Sequence, residues 1–366
     1  MRQKKKSYLF ASLIIFLTCG LTACGNSINN DNNVNDVRNE RLQIIPLEDK
    51  GLEVTILESP TEHLGGFNLG LIPDMERDLT FNHADCPQTD ERMHGCWGYF
   101  QLETPQDILS FSITNGVDEE YSFLLKLLYN YEEVAFRPLG SDEFITELVF
   151  SLAPGSDAYI PFQLSDELDI SSYTSKLTVV FAAFPDYYRD MYSAQHIMEY
   201  PFGLILSFEL DYGSNASRQR LANFESVERV EMADPVFGLI LTSDCRDSII
   251  DTAPTLIQAN PGEIITLGFS SDIEGYTPEE MENYLIIALL DWQQVEMNGL
   301  PYLSIATEED KTDYEMDHGN FTIVVPTEPG FYEFVLLGIP NPNHPNHFWS
   351  YAPAAHSERI TIEVTD

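Results

Sequence analysis

Two stretches of the chain share an unusual pattern of apolar and polar positions. Residues 123–134 read FLLKLLYNYEEV and residues 284–295 read YLIIALLDWQQV, and the two align without a gap. The second stretch also fits the apolar stripe of a helix. However, the pair Asn298-Gly299 follows it and precedes LPYLSI, which is a strong hairpin signal. We therefore interpret both stretches as β-strands.

Further segments repeat in the same order along the chain. Residues 108–115 pair with 264–271, residues 177–185 with 332–340, and residues 206–210 with 360–364. Chance similarity between apolar segments explains one such pair, but it does not explain a whole series in order. The series indicates one domain written twice.

The segment PTEPGFYEF, residues 326–334, resembles the tyrosine corner of immunoglobulin-like sandwiches. The resemblance implies that the Tyr332 hydroxyl bonds back to the backbone, and that Trp292, with Tyr131 as its counterpart, is the buried core Trp of such domains. No Cys…Trp…Cys spacing is present, so the resemblance is to the broad sandwich class. We predict an all-β chain of two tandem immunoglobulin-like β-sandwiches, over residues 45–212 and 226–366, joined by a linker over residues 213–225.

The N-terminal residues are typical of an export signal. A basic start, MRQKKKSY, precedes a short apolar run and small residues. The sequence Leu21-Thr22-Ala23-Cys24 resembles the lipobox of bacterial lipoproteins, although an ordinary secretory signal is the alternative. The resemblance implies that residues 1–23 are a signal peptide, and that a diacylglycerol is joined to Cys24. Residues 24–44 are rich in Asn and predict a flexible tether. We therefore expect a lipid-anchored protein on the extracytoplasmic face of a bacterial cell membrane.

Charge narrows the range of partners. The chain has 19 Lys and Arg residues against 59 Asp and Glu residues, which gives a net charge of −40. Leaving out residues 1–23, which hold four basic residues and no acidic ones, lowers it to −44. Nucleic acid is excluded as a partner because phosphate contacts need Lys and Arg. The expected partners are the membrane, through the lipid on Cys24, and an envelope protein or polymer.

The sequence offers little catalytic chemistry. It contains no G-x-S-x-G, no H-E-x-x-H, no P-loop and no G-x-G-x-x-G. We therefore expect a non-catalytic protein without a cofactor. The segment EEDKTDYEMDHGN, residues 308–320, supplies oxygen ligands for calcium but lacks the spacing of an EF-hand. We interpret it as a solvated acidic loop before the NFTIVV strand.

An insertion in the first repeat concentrates sulfur and imidazole side chains. It holds His83, Cys86, His94 and Cys96. In an oxidising compartment Cys86 and Cys96 are candidates for a disulfide. The alternative is a copper or zinc site, which would make the protein a solute- or metal-capturing lipoprotein.

Both repeats carry an aromatic-rich insertion between the matched proline and the last strand. We name residues 186–203 the first aromatic loop and residues 341–358 the second aromatic loop. In a sandwich this position is the loop joining the final two strands, where binding residues often lie. The alternative is that the loops pack on the sandwiches. The candidate binding residues are Tyr187, Tyr188, Tyr192, His344, His347, Phe348, Trp349 and Tyr351.

Overall fold

The computed structural model describes residues 41–58, 67–73, 99–168, 175–186, 203–212, 221, 223–231, 238–242, 256–272, 283–306, 315–340, 342–343 and 355–365. Regular structure in these residues consists of β-strands and one short 3₁₀ helix, Leu47–Lys50. Among the same residues, no helix is long and apolar enough to cross a membrane.

The first repeat folds into two facing sheets. One sheet has the order β1-β9-β4-β2, with β7 also on β9, and the other has the order β3-β11-β10-β5-β6, with β8 also on β5. The strands are β1 (Thr55–Glu58), β2 (Phe67–Pro73), β3 (Tyr99–Gln101), β4 (Leu109–Asn115), β5 (Tyr121–Tyr129), β6 (Glu132–Glu133), β7 (Phe136–Pro138), β8 (Glu147–Leu152), β9 (Ser156–Leu164), β10 (Ser175–Ala183) and β11 (Gly203–Asp211).

The second repeat builds the same pair of sheets. One has the order β13-β20-β16-β14, and the other has the order β12-β19-β17-β21-β23-β15, with β18 on β17 and β22 on β21. The strands are β12 (Glu225–Ser226), β13 (Glu228–Glu231), β14 (Gly238–Thr242), β15 (Leu256–Ala259), β16 (Ile264–Asp272), β17 (Asn283–Leu290), β18 (Gln293–Val295), β19 (Leu303–Ala306), β20 (Glu315–Val324), β21 (Gly330–Pro340), β22 (Ala355–His356) and β23 (Ile360–Val364).

The two repeats share the strand pairing of an immunoglobulin-like sandwich. In the first, β2 pairs antiparallel with β4, and the next strand, β3, pairs parallel with the last strand, β11. In the second, β14 pairs antiparallel with β16, and β15 pairs parallel with β23. The prediction of two tandem immunoglobulin-like sandwiches is confirmed, and the duplication extends to the sheet order.

The tyrosine corner is confirmed, because the Tyr332 hydroxyl donates a hydrogen bond to the Glu328 carbonyl at 2.8 Å.

The interpretation of residues 308–320 as a solvated loop is wrong at its end. Strand β20 already begins at Glu315, and Asp317 is only 2% exposed. β13 pairs with this part of β20 and covers it, a tertiary contact that the local sequence does not reveal.

The pairing corrects the sequence alignment of β10 with β21. Leu177 lies opposite Tyr129, whereas Phe334 lies opposite Leu290, the equivalent of Tyr129. Leu177 therefore corresponds to Phe334, two residues later than the sequence alignment placed it. The same offset makes Pro342, and not Pro340, the equivalent of Pro185. A shift of two residues keeps every side chain on its own face, so the apolar pattern could not detect it.

Candidate functional site: the seam between the repeats

Two sheets, the one that contains β5 and the one that contains β17, are buried on both faces. In β5, Phe123 and Leu125 point into the sandwich core, whereas Leu124 and Leu128 join a separate cluster between the repeats. We call this inter-repeat cluster the seam. Its apolar members are Leu42, Leu124, Leu128, Tyr131, Val149, Val180, Ala182, Ile205, Leu285, Ile287, Leu289, Trp292, Val335, Leu337 and Ile339. The runs LLKLLY and LIIALL lack polar alternation because each strand is covered on both sides.

Each repeat sends one aromatic turn into the seam. Asn130-Tyr131 joins β5 to β6, and Asp291-Trp292 joins β17 to β18. All four residues have positive φ, with 49° and 73° in the first turn and 51° and 65° in the second. Two-residue hairpin turns of this type usually take Asn-Gly, because an aromatic residue with positive φ is strained. We call these turns the Tyr131 clasp and the Trp292 clasp.

The strain is offset by reciprocal hydrogen bonds across the seam. The Tyr131 hydroxyl donates to the Pro342 carbonyl at 3.0 Å, and the Trp292 Nε1–H donates to the Pro185 carbonyl at 3.0 Å. Both aromatic side chains are buried, at 3% and 1% exposure. Because Pro185 and Pro342 are equivalent, the two clasps are related by an approximate two-fold axis, as in a symmetric dimer. The prediction for Trp292 is therefore wrong in one respect, since it is buried between the sandwiches and not inside one.

Equivalent residues also meet each other at the seam. The Glu133 N–H donates to Gln294 Oε1 at 2.8 Å, and the Gln294 N–H donates to Glu133 Oε2 at 3.3 Å. Gln294 Nε2 also donates to the Tyr131 carbonyl at 2.9 Å. Contact between a residue and its own equivalent places the approximate axis between β6 and β18.

The seam contains one buried charge where the symmetry breaks. Lys126 is fully buried and pairs with Glu133, whereas its equivalent in the second repeat is Ile287. Burial lowers the pKa of Lys126, and the Glu133 carboxylate opposes that shift. Burial also raises the pKa of Glu147, which accepts a hydrogen bond from Gln293 Nε2 at 2.9 Å. The second repeat thus contributes amides that solvate the carboxylates of the first.

A second buried ion pair lies beside the Trp292 clasp. Arg359 pairs with Glu333 inside the second repeat and donates across the seam to the Ala183 carbonyl at 3.0 Å and the Phe184 carbonyl at 2.9 Å. Its guanidinium carbon lies 5.1 Å from the centre of the Trp292 ring, in cation–π contact.

The clasps hold the segments from which the aromatic loops leave. We call Pro185-Asp186 the first loop base and Pro342-Asn343 the second loop base. At the first base, Ser122 Oγ also donates to Asp186 Oδ1 at 3.1 Å. At the second, the Leu221 N–H donates to Asn343 Oδ1 at 2.7 Å, and Asn343 Nδ2 donates to the Leu221 carbonyl at 3.0 Å.

The two loop bases lie toward opposite ends of the seam. The Asn130 N–H bonds to the Lys176 carbonyl, so the Tyr131 clasp and the second loop base lie near the start of β10. Pro185 follows the end of β10, nine residues after Lys176, or roughly 30 Å along an extended strand. The two aromatic loops therefore start from separate places.

The first aromatic loop lies between β10 and β11, the last two strands of its repeat, as predicted. The prediction is wrong at the end of the second loop, because Ala355–His356 forms strand β22 on β21 before β23 begins. The predicted site residues themselves lie outside the described residues: Cys24, His83, Cys86, His94, Cys96, Tyr187, Tyr188, Tyr192, His344, His347, Phe348, Trp349 and Tyr351. The disulfide, metal, lipidation and loop-binding hypotheses stay predictions. Within the described ranges, no three His, Cys, Asp or Glu side chains come together as a metal site.

Comparison with known proteins gives no family. No protein-family model matches the chain, and no curated protein matches it. Among solved structures, red sea bream transglutaminase matches with 6% identity and a TM-score of 0.22, over 73% of this chain and 30% of that chain. The C-terminal domain of the Streptococcus pyogenes antigen I/II-family protein AspA matches with 10% identity and a TM-score of 0.20, over 82% of this chain and 99% of that chain. The structure BspA_C_WT matches with 10% identity and a TM-score of 0.21, over 75% of this chain and 98% of that chain. These scores are too low to support a functional argument.

Proposed function

We propose that this protein is a non-catalytic interaction module of the bacterial cell envelope, anchored on the extracytoplasmic face of the membrane by a lipid on Cys24. The N-terminal residues support the anchor, because the basic start, short apolar run and lipobox-like Leu21-Thr22-Ala23-Cys24 occur together. Two acyl chains or more give stable anchoring, whereas one chain gives reversible binding.

The observation that carries the proposal is the fixing of both loop bases by the opposite repeat. Trp292 holds the Pro185 carbonyl and Tyr131 holds the Pro342 carbonyl, each at 3.0 Å. Recognition loops bind well when a rigid scaffold positions their ends. Two strained aromatic turns provide that positioning. They hold the residues at which the two segments richest in candidate binding aromatics begin.

The partner is an envelope protein or polymer that the aromatic loops contact. Tyr and Trp side chains bury a large area with few rotatable bonds, which suits protein surfaces and sugar faces. The net charge of −40 favours a partner that is neutral or basic at the contact. Because the loop bases lie at opposite ends of the seam, each loop offers a contact of its own.

The test is a crosslinking pull-down from intact cells. The bait is the full-length protein, beside a variant in which residues 187–200 and 344–354 are replaced by Gly/Ser linkers of equal length. The matched control replaces residues 83–96 in the same way. We expect a partner that is lost only with the aromatic loops. Equal partner lists for all three baits would contradict the binding role of the loops, and loss with the control alone would favour solute or metal capture.

The anchor is tested by cell fractionation of Cys24→Ala. We expect this variant to be released, or to remain at the uncleaved mass, because no thiol is available for the diacylglycerol. A Cys24→Ala protein that stays in the membrane at the mature mass would contradict the lipid anchor.

A further inference from the structure

The chain enters the folded body through a short segment that touches both repeats. Residues 41–47 begin next to the Trp292 clasp and end in the first sandwich. Leu47 is fully buried in the first core, and the Ser151 N–H donates to the Ile45 carbonyl at 3.0 Å. One end of the segment is thus part of the first repeat.

The other end of the segment belongs to the seam. Leu42 is buried in the seam cluster, and Ile44 packs against it. Arg41 Nη2 donates to the Asp291 carbonyl at 2.5 Å and pairs with Asp291 Oδ2 at 3.1 Å. Asp291 is the first residue of the Trp292 clasp. The segment therefore runs from the core of one repeat to the strained turn of the other.

A continuous series of contacts leads from this segment to the first loop base. Arg41 holds Asp291, the next residue is Trp292, and the Trp292 indole holds the Pro185 carbonyl. The second loop base is held by hydrogen bonds from Tyr131 and Leu221. The hydrogen-bonded series that starts at Arg41 ends at the first loop base.

We propose that residues 41–47 are a strap that couples the N-terminal side of the chain to the first loop base, so that displacing the strap loosens the Trp292 clasp while both sandwiches stay folded. Through this coupling, a pulling force or a rearrangement on the N-terminal side of the chain reaches the base of the first aromatic loop. This use rests on the proposed function, although the strap itself does not, because it consists of contacts within one chain.

The experiment uses the full-length protein, purified in detergent, without any partner. In a Trp97→Phe, Trp349→Phe background, Trp292 is the only indole left. The double variant Arg41→Ala, Leu42→Ala removes the strap contacts to the seam. Arg137→Ala is the matched control, because Arg137 bonds to Gln163 inside the first repeat. Acrylamide quenching of Trp292 and amide hydrogen exchange at single-residue resolution are measured on each protein.

We expect the strap variant to raise the Trp292 quenching constant by about two-fold or more, with unchanged far-UV circular dichroism. The Phe184 N–H, which bonds to the Ser122 carbonyl at 2.9 Å beside the first loop base, should exchange faster by about ten-fold. The Leu221 N–H at the second loop base should keep its exchange rate, and Arg137→Ala should change none of these readouts.

Three results would overturn the strap. Unchanged quenching of Trp292 would show that the segment does not control the clasp. Equal acceleration at Phe184 and Leu221 would show general loosening of the seam. Loss of the β circular dichroism signal would show that the segment is an ordinary part of the first sandwich. None of these results depends on a partner, so the pull-down tests the proposed function separately.

Discussion

The Tyr131 clasp and the Trp292 clasp share a backbone but differ in what surrounds them. Around Trp292, the Arg359 guanidinium lies 5.1 Å from the ring centre, and Arg41 bonds to the preceding residue, Asp291. Around Tyr131, the main ring neighbour is Tyr302, edge-on at 6.1 Å and 75°. The duplicated turn thus keeps its geometry, whereas its charged neighbours differ. Arg359 and Arg41 contact the Trp292 clasp, and the buried Lys176–Glu209 pair lies beside the Tyr131 clasp. A difference of this kind is open to test, since the two clasps serve as controls for each other.

Arg359 is one of the two positions with the largest expected effects, and Trp292 is the other. The substitution Arg359→Ala leaves the Glu333 carboxylate buried without this partner, and it removes the bonds to Ala183 and Phe184. We expect the free energy of unfolding to fall by about 3–5 kcal/mol, which is usual for breaking a buried ion pair from one side. Urea unfolding measures it. Arg137→Ala, the control, should cost less than about 1 kcal/mol, and an equal loss in both variants would contradict the special role of Arg359.

Replacing the aromatic residue of each clasp by Ala should show how much each clasp contributes to stability. Trp292→Ala should lower the free energy of unfolding by about 3–5 kcal/mol, because a fully buried indole leaves a large cavity. Tyr131→Ala should cost less, because the side chain is smaller and lacks the guanidinium contact. Both variants are compared by urea unfolding at one pH. A cost for Tyr131→Ala equal to or larger than that for Trp292→Ala would remove the proposed difference between the clasps.

A smaller effect isolates one hydrogen bond. Tyr131→Phe keeps the ring but removes the donor to the Pro342 carbonyl. We expect a loss of about 1 kcal/mol, since a buried acceptor is left unsatisfied. Thermal or urea unfolding checks the value. Tyr302→Phe is the control, because within the described part of the chain the Tyr302 hydroxyl makes no hydrogen bond, and the substitution should change stability by less than about 0.5 kcal/mol.

The smallest expected effect is the change in the pH dependence of stability when Lys126 is replaced by Ile, the residue at the equivalent position 287. Burial lowers the pKa of Lys126 below its unfolded value of 10.5. Between the two pKa values the unfolded chain binds more protons, so this residue makes stability rise with pH in that window. The double variant Lys126→Ile, Glu133→Gln gives the first repeat the residues that the second repeat has at the equivalent positions, Ile287 and Gln294. The difference between the unfolding free energies of the parent and the double variant should rise with pH between the lowered pKa of Lys126 and 10.5, in favour of the parent. A difference that does not depend on pH would mean that Lys126 titrates normally.

The sequence was sufficient to predict the strands, the duplication and the Tyr332 corner, because each has a local signal. Turn residues separate β-branched runs, the repeats share order, and the corner Tyr follows Glu-Pro-Gly. The lipid anchor, the domain boundaries and the roles of the aromatic loops stay predictions.

The seam was not predicted from the sequence, although the sequence contains a signal for it. The runs LLKLLY and LIIALL are apolar at successive positions, which indicates burial on both faces, but the sequence does not say what covers the second face. The clasps have positive φ at Tyr131 and Trp292, where turn rules expect Gly, so local propensity opposed the turns that tertiary contacts stabilise. The two-residue slip of β10 against β21 was invisible for the same reason that register is hard to predict, since period-2 patterns repeat at every even offset.

The two repeats hold each other's loop bases through reciprocal aromatic clasps. The most direct measurement is the hydrogen-exchange rate of the Trp292 indole N–H, followed by NMR in protein labelled with ¹⁵N-tryptophan. Only three Trp residues are present, so loss of one signal in Trp292→Phe assigns it. With the indole bonded to the Pro185 carbonyl and 1% exposed, exchange should be slowed by several orders of magnitude relative to free tryptophan, and Arg359→Ala should speed it up. Exchange at the rate of free tryptophan would contradict the clasp and the seam with it.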